Sequence, residues 1–125
     1  MNVPKLFVSY ARQNKRAIDE LVGHLSLLGF DTWVDSSLRG GQDWWEVILR
    51  QIVDCDAFIA IVSRDALSSE ACKREFDWAE ALGKPVLPVA VETPGVALPR
   101  RVSRRQIVDY SKPGQRAALT LAGGL

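Results

Sequence analysis

The chain has 125 residues and a net charge of +1, from 16 lysine and arginine side chains against 15 aspartate and glutamate side chains. This length fits one domain, and a hydrophobic share of 47% is ordinary for a globular protein with a buried core. Such balanced charge gives no reason to expect nucleic acid or an anionic membrane as a partner. We expect a single domain over residues 1–125, either whole or cut from a longer protein.

The cysteine content and the N-terminus indicate a cytoplasmic protein. Cys55 and Cys72, the two cysteines, lie in apolar patterns and have neither a CxxC spacing nor a metal-ligand spacing. They are typical of reduced core thiols in a reducing compartment. The start, MNVPKLFVSY, lacks the charged stretch and long apolar run of a signal peptide. No apolar run approaches the roughly 20 residues that a membrane-spanning helix needs.

The first half of the chain predicts two strands and two helices. Residues 5–9, KLFVS, form an apolar run typical of a strand, and a helix follows that Gly29 ends. The apolar residues of this helix recur at three- and four-residue steps: Ile18, Leu21, Val22, Leu25 and Leu28. Residues 30–34, FDTWV, predict a second strand, and residues 35–43 form a loop by composition. Another helix is predicted from residue 44 to about residue 53.

The middle of the chain continues this alternation. Residues 57–62, AFIAIV, form a continuous apolar run, as in a strand that is buried on both faces of a parallel sheet. A helix is predicted from residues 68–69 to Gly83. Residues 86–91, VLPVAV, predict a fourth strand. Because Pro88 has no amide hydrogen to donate, we expect this strand near an edge, or paired on one side only around the proline.

The last third is less regular. Residues 92–105 predict irregular structure, residues 106–110 a weak fifth strand, and residues 114–122 a final helix. A basic cluster in the irregular stretch is typical of a solvated loop, with a phosphate or an acidic partner as the alternative. This cluster consists of Arg100, Arg101, Arg104 and Arg105.

The order of elements predicts an α/β fold: a flavodoxin-like three-layer sandwich, with a five-stranded parallel sheet of order 2-1-3-4-5 and helices on both faces. Ligands of such sheets bind at the carboxyl ends of the strands, beside the point where the strand order reverses. Here that point lies between strands one and three. The predicted site is therefore walled by residues 9–12 and by residues 63–69.

One carboxylate disturbs the pattern of the third predicted helix. In the segment 71–82, ACKREFDWAEAL, Glu75 falls inside the apolar arc that should face the core. The arc consists of Cys72, Phe76, Trp78, Ala79 and Leu82. Three roles are open for Glu75. It is a functional group, or its negative charge interacts favourably with the helix dipole, or it pairs with an arginine such as Arg12. Glu70 is better placed for the dipole, because it lies in the first turn.

Further residues near the predicted site carry useful chemistry. Tyr10 offers a flat surface for a ring and Arg12 a cation for pyrophosphate, although a half-buried tyrosine and a solvated arginine would look the same. Ser9 either donates a hydrogen bond to a ribose or simply ends the strand. His24 is the sole histidine and lies mid-helix, which argues against a histidine-based triad and against a multi-histidine metal site. No dinucleotide fingerprint GxGxxG and no phosphate-binding GxxxxGK[ST] motif is present.

Three segments together resemble the Toll/interleukin-1 receptor (TIR) domain family, in the form found in bacterial and other non-receptor members. FVSYAR at residues 7–12 is similar to its first box, and DSSLRGGQDWW at residues 35–45 to its second. Residues 58–89 are similar to its block of strand, serine, helix with cysteine and glutamate, glycine-lysine and proline strand. The Gly40-Gly41 pair stands where many members have proline-glycine, and the third box is not recognisable.

The resemblance implies an activity. Many TIR domains are NAD⁺ glycohydrolases or cyclases, and counting back from Gly83 the matching catalytic glutamate is Glu75. It implies NAD⁺ as substrate with no cofactor, and release of nicotinamide with ADP-ribose or a cyclic ADP-ribose. We expect substrate contacts from Ser9, Tyr10, Arg12, Leu38, Trp45, Ser63 and Cys72.

The resemblance also implies self-association, or docking to other TIR domains, through the loop at residues 35–45, and this assembly is expected to activate the enzyme. Two other functions stay open. One is a non-catalytic TIR–TIR interaction module, in which Glu75 is structural. The other is a different enzyme of N-glycosides, such as a nucleoside transferase, because that chemistry also suits a lone glutamate.

Overall fold

The structure is a computed structural model that describes residues 3–34, 42–93, 95, 97–111, 120 and 123–125, with the backbone alone at residues 42–44. The strands are β1 (Lys5–Ser9), β2 (Asp31–Val34), β3 (Ala57–Val62), β4 (Val86–Ala90) and β5 (Val108–Asp109). The helices are α1 (Lys15–Leu27), α2 (Gln42–Asp54), α3 (Arg64–Leu67), α4 (Glu70–Ala81) and α5 (Arg100–Ser103), with a 3₁₀ turn at Arg12–Asn14. Within these residues, no helix has the length and apolar character to cross a membrane.

The five strands form one parallel sheet in the order β2-β1-β3-β4-β5, which confirms the predicted flavodoxin-like topology. The expectation for the proline strand is also confirmed. Pro88 lies opposite Ala60 of β3, whereas β5 pairs with β4 only at Val89 and Ala90. The proline therefore takes part in the ladder on one side, where a missing amide hydrogen is tolerated.

Alternation along the strands divides the core into two layers. Leu6 and Val8 of β1 pack with α1 on one face of the sheet. Phe7 points to the opposite face, where it packs with α2 and α4. Because side chains of a strand alternate between faces, Ser9 shares the face of Phe7 and therefore lies beneath α4. This alternation sets up the site.

The predicted irregular stretch contains one short helix, α5, and its arginines have partners inside the domain. Arg101 pairs with Asp77 of α4 at 3.2 Å. Arg104 and Arg105 both pair with Glu80 of α4, each at 2.9 Å. Partly exposed ion pairs of this kind contribute little individually, but together they link α5 and the residues after it to α4. Part of the predicted irregular stretch is thus a helix, and three arginines of the basic cluster make ion pairs within the domain.

Two predictions concern the C-terminal part. The fifth strand is confirmed but is shorter than predicted, at Val108–Asp109. The final helix predicted at residues 114–122 lies almost wholly outside the described residues.

Candidate functional site

Glu75 lies on the face of α4 that packs against the sheet. The helix begins after Ser69, whose side-chain oxygen accepts a hydrogen bond from the Cys72 amide at 3.2 Å. That start places Glu75 in the second turn beside Phe76, and the glutamate is 2% exposed. A carboxylate is seldom buried to this extent without a compensating hydrogen bond or charge.

The serine at the end of β1 provides such a hydrogen bond. Ser9 Oγ donates to Glu75 Oε1 at 2.7 Å, and the serine is itself 3% exposed. Since 66 positions separate the two residues along the chain, only the fold brings them together. A hydroxyl that donates to a carboxylate in an apolar region makes a strong hydrogen bond. The pair fixes one carboxylate oxygen at the carboxyl end of the sheet.

An open cleft of about 520 Å³ lies beside this pair, at the carboxyl ends of β1 and β3, where the strand order reverses. One wall is the segment after β1, which contributes Tyr10 and Arg12. The other wall is formed by Asp65, Ser68 and Ser69 and by the first turns of α4, including Cys72 and Glu75. Both walls were predicted from the switch point of the sheet.

Three of the predicted substrate contacts border the cleft together with Glu75: Tyr10, Arg12 and Cys72. Tyr10 is half-buried and Arg12 is exposed at the rim. Ser9 lies behind Glu75 rather than on the cleft wall. Its contact is therefore with the carboxylate.

The remaining predicted contacts lie elsewhere. Ser63 is fully buried, donates to Asn14 Oδ1 at 2.6 Å and accepts from the Ala66 amide at 3.0 Å, so it caps α3. Trp45 is half-buried in the contact between α2 and α4, edge-on to Trp78 at 5.4 Å and beneath the Arg74 guanidinium at 4.5 Å. Leu38 lies outside the described residues.

The cleft also contains polar residues that the sequence analysis did not single out, namely Gln13, Asp65, Ser68 and Ser69. Only their position in the chain could have identified them, because most of these residues lie within the two predicted walls of the site. The N-terminus of α4 borders the cleft at Ser69, and the helix dipole favours an anion there.

Comparison with known families decides the family of the chain. A family model of the TIR domain matches residues 6–121. The chain belongs to the TIR domain family. No protein with a curated description shows significant similarity to it.

Solved structures resemble this TIR domain over most of its length. The CMP N-glycosidase BcmB of Clostridium botulinum is 25% identical, with a TM-score of 0.71 over 97% of this chain and 99% of that protein. The TIR domain of the Toll-related receptor TRR-2 of Hydra magnipapillata is 19% identical, with a TM-score of 0.72 over 86% and 84% of the two chains. The TIR domains of the activated Roq1 resistosome, which recognises the pathogen effector XopQ, are 19% identical, with a TM-score of 0.59 over 96% of this chain and 69% of theirs.

The two thiols of the TIR domain are expected to differ in reactivity. Cys55 is 4% exposed, and burial raises the pKa of its thiol, which keeps it protonated and unreactive at neutral pH. Cys72 is half-buried at the cleft wall. At pH 7.5 a maleimide should label Cys72 at least about tenfold faster than Cys55, as read by mass spectrometry of peptides. Cys72→Ala should remove the fast phase, and equal labelling of both thiols would contradict the burial described here.

Proposed function

We propose that this TIR domain cleaves the bond between nicotinamide and ribose in NAD⁺, with Glu75 as the catalytic carboxylate. The observation that carries the proposal is the placement of Glu75, a buried carboxylate held by Ser9 at the wall of an open cleft. The product is ADP-ribose, or a cyclic ADP-ribose when a group of the same molecule replaces water as the nucleophile.

The chemistry of NAD⁺ suits a site with one carboxylate. When the C1′–N bond breaks, the electron pair stays on the nicotinamide nitrogen, and the cationic ring leaves as a neutral molecule. A proton donor is therefore not required, unlike in ordinary glycosidases, which use two carboxyl groups. Positive charge develops on the ribose, where a nearby carboxylate stabilises it. Burial of Glu75 strengthens that stabilisation by lowering the local dielectric constant.

The cleft offers partners for the rest of the dinucleotide. Its volume of about 520 Å³ is within the usual range of small-molecule sites. Tyr10 supplies a surface on which a ring can stack. Arg12 and the N-terminus of α4 border the same space and suit a pyrophosphate.

A pyrimidine nucleotide is the second candidate substrate. The CMP N-glycosidase of Clostridium botulinum matches almost the full length of both chains at 25% identity. Cytosine in CMP is uncharged, so it leaves as an anion unless a proton is supplied. The Tyr10 hydroxyl is a group of the cleft that carries a proton to donate. NAD⁺ is the better fit to a single buried carboxylate because it needs no such donor.

Self-association is part of the proposal. The name of one structural relative describes TIR domains within a resistosome, which is an assembly. We infer that assembly also activates this domain, through the loop at residues 35–45, most of which lies outside the described residues. A cytoplasmic location remains a prediction. A non-catalytic role, in which the domain only docks to other TIR domains, is the competing function.

The test offers the purified protein NAD⁺ and CMP in parallel and measures released nicotinamide and cytosine by chromatography. We expect nicotinamide release whose rate per protein molecule rises with protein concentration or with crowding on beads. Cytosine release without nicotinamide release would contradict NAD⁺ as the substrate and favour a pyrimidine nucleotide. If no base is released at any protein concentration or crowding, the non-catalytic docking role is favoured. A rate per protein molecule that does not depend on concentration would contradict activation by assembly.

A further inference from the structure

The geometry points to Ser9 as a positioning residue that holds the Glu75 carboxylate in its working orientation and keeps it ionised. This inference rests on the proposed function, because it assigns the support on which the catalytic carboxylate depends. The sequence predicts Ser9 as a substrate contact, whereas its hydrogen bond to Glu75 indicates a different role. The two roles predict different kinetics.

Ser9 has one hydroxyl proton, and that proton is committed to Glu75 Oε1. The residue is 3% exposed and does not line the cleft. A substrate ribose therefore cannot receive this proton while the carboxylate holds it. Any effect of Ser9 on catalysis passes through Glu75.

The support is rigid on the serine side. Ser9 is the last residue of β1 and lies opposite Ala60 in the ladder with β3. Its backbone is thus held by the central part of the sheet, whereas Glu75 reaches it through a longer, more flexible side chain. A fixed donor at 2.7 Å removes rotational freedom from the carboxylate before substrate arrives.

The same hydrogen bond affects the charge of the carboxylate. Burial disfavours the ionised form of a carboxyl group, and a hydrogen bond donated to that form favours it. Without the Ser9 hydroxyl, burial would act with less opposition, so Glu75 would take up a proton at a higher pH. The proposed mechanism needs the negative charge, and activity should therefore be lost at a higher pH on the acid side.

The experiment compares Ser9→Ala with Ser9→Thr, which keeps the hydroxyl. A small cavity of about 30 Å³ borders Ser9 and offers space for the added methyl group. For Ser9→Ala we expect kcat to fall about 10- to 100-fold with KM changed less than about twofold. The acid limb of the rate–pH profile should move up by about one pH unit. Ser9→Thr should restore most of kcat and the wild-type limb.

A second measurement does not depend on turnover. In carbon-13 NMR the carboxyl signal of Glu75, assigned by its loss in Glu75→Gln, should titrate at a higher pH in Ser9→Ala than in wild type. An unchanged titration and an unchanged acid limb would overturn the inference, as would a rise in KM alone, which indicates a substrate contact. If wild type cleaves no nucleotide, the proposed function fails, and the NMR titration still decides whether Ser9 sets the charge of Glu75.

Discussion

Glu75→Gln is expected to lower the rate of NAD⁺ cleavage by about 10³-fold while the domain stays folded. Glutamine has nearly the same shape, and its carbonyl oxygen can still accept the hydrogen bond from Ser9. What it lacks is the negative charge that stabilises the positive ribose. The measurement is nicotinamide release at saturating NAD⁺, at the protein concentration where wild type is most active.

A matched variant on the same helix separates loss of charge at the site from loss of charge in general. Glu80→Gln removes a carboxylate five positions further along α4, where it pairs with Arg104 and Arg105 on the surface. We expect its activity to stay within about twofold of wild type, since Glu80 does not line the cleft and its ion pairs are partly exposed. Equal activity of Glu75→Gln and wild type, or an equal loss in both variants, would rule out the catalytic role of Glu75.

The stability of Glu75→Gln provides a further check. Replacing a buried charge by a neutral group of the same size removes a desolvation cost, so the melting temperature should stay equal or rise. A gain in stability together with a loss of activity is the pattern of a residue kept for function. A docking role would predict that Glu75→Gln still binds other copies of the domain.

The fold could be predicted from sequence because its signals are local. The apolar run of β3, the three- and four-residue steps of α1 and the glycines after α1 and α4 define elements without reference to distant contacts. Both of these glycines have positive φ, +91° at Gly29 and +68° at Gly83, which explains why glycine ends the helices there. The order of elements then restricts the sheet to few topologies, and the family match agrees with the resemblance of the three segments.

The site was predictable only in part, because its decisive contacts are distant in sequence. Glu75 could be found as a carboxylate on an apolar helix face, which is a local anomaly. Its hydrogen bond to Ser9 joins residues 66 positions apart, so no local pattern reveals it. Helix α5 was not predicted for two reasons: four residues are too few to show a period, and the contact of its Arg101 with Asp77 of α4 is distant in sequence.

Phe7→Ala is expected to reduce the free energy of unfolding by about 3–5 kcal/mol. Phe7 is fully buried and lies between two rings of neighbouring strands, with centroid distances of 5.1 Å to Trp33 and 5.3 Å to Phe58. Phe76 of α4 contacts Phe58 edge-on at 6.3 Å. The rings of Phe7 and Phe58 therefore support the helix that carries Glu75. Such a loss is a large part of the roughly 5–15 kcal/mol that stabilises a typical domain. Urea unfolding followed by tryptophan fluorescence measures it.

The effect should reach the site as well as the stability. Phe7 lies two residues before Ser9 on the same face of β1, and Phe76 directly follows Glu75. A void beneath α4 would let the helix shift relative to Ser9, so the folded fraction of Phe7→Ala should also turn over more slowly than wild type. Leu27→Ala is the control, because Leu27 is 87% exposed and its loss should cost less than about 0.5 kcal/mol. If Phe7→Ala reduced the free energy of unfolding no more than this control, the ring contacts of Phe7 would not be what holds α4 against the sheet.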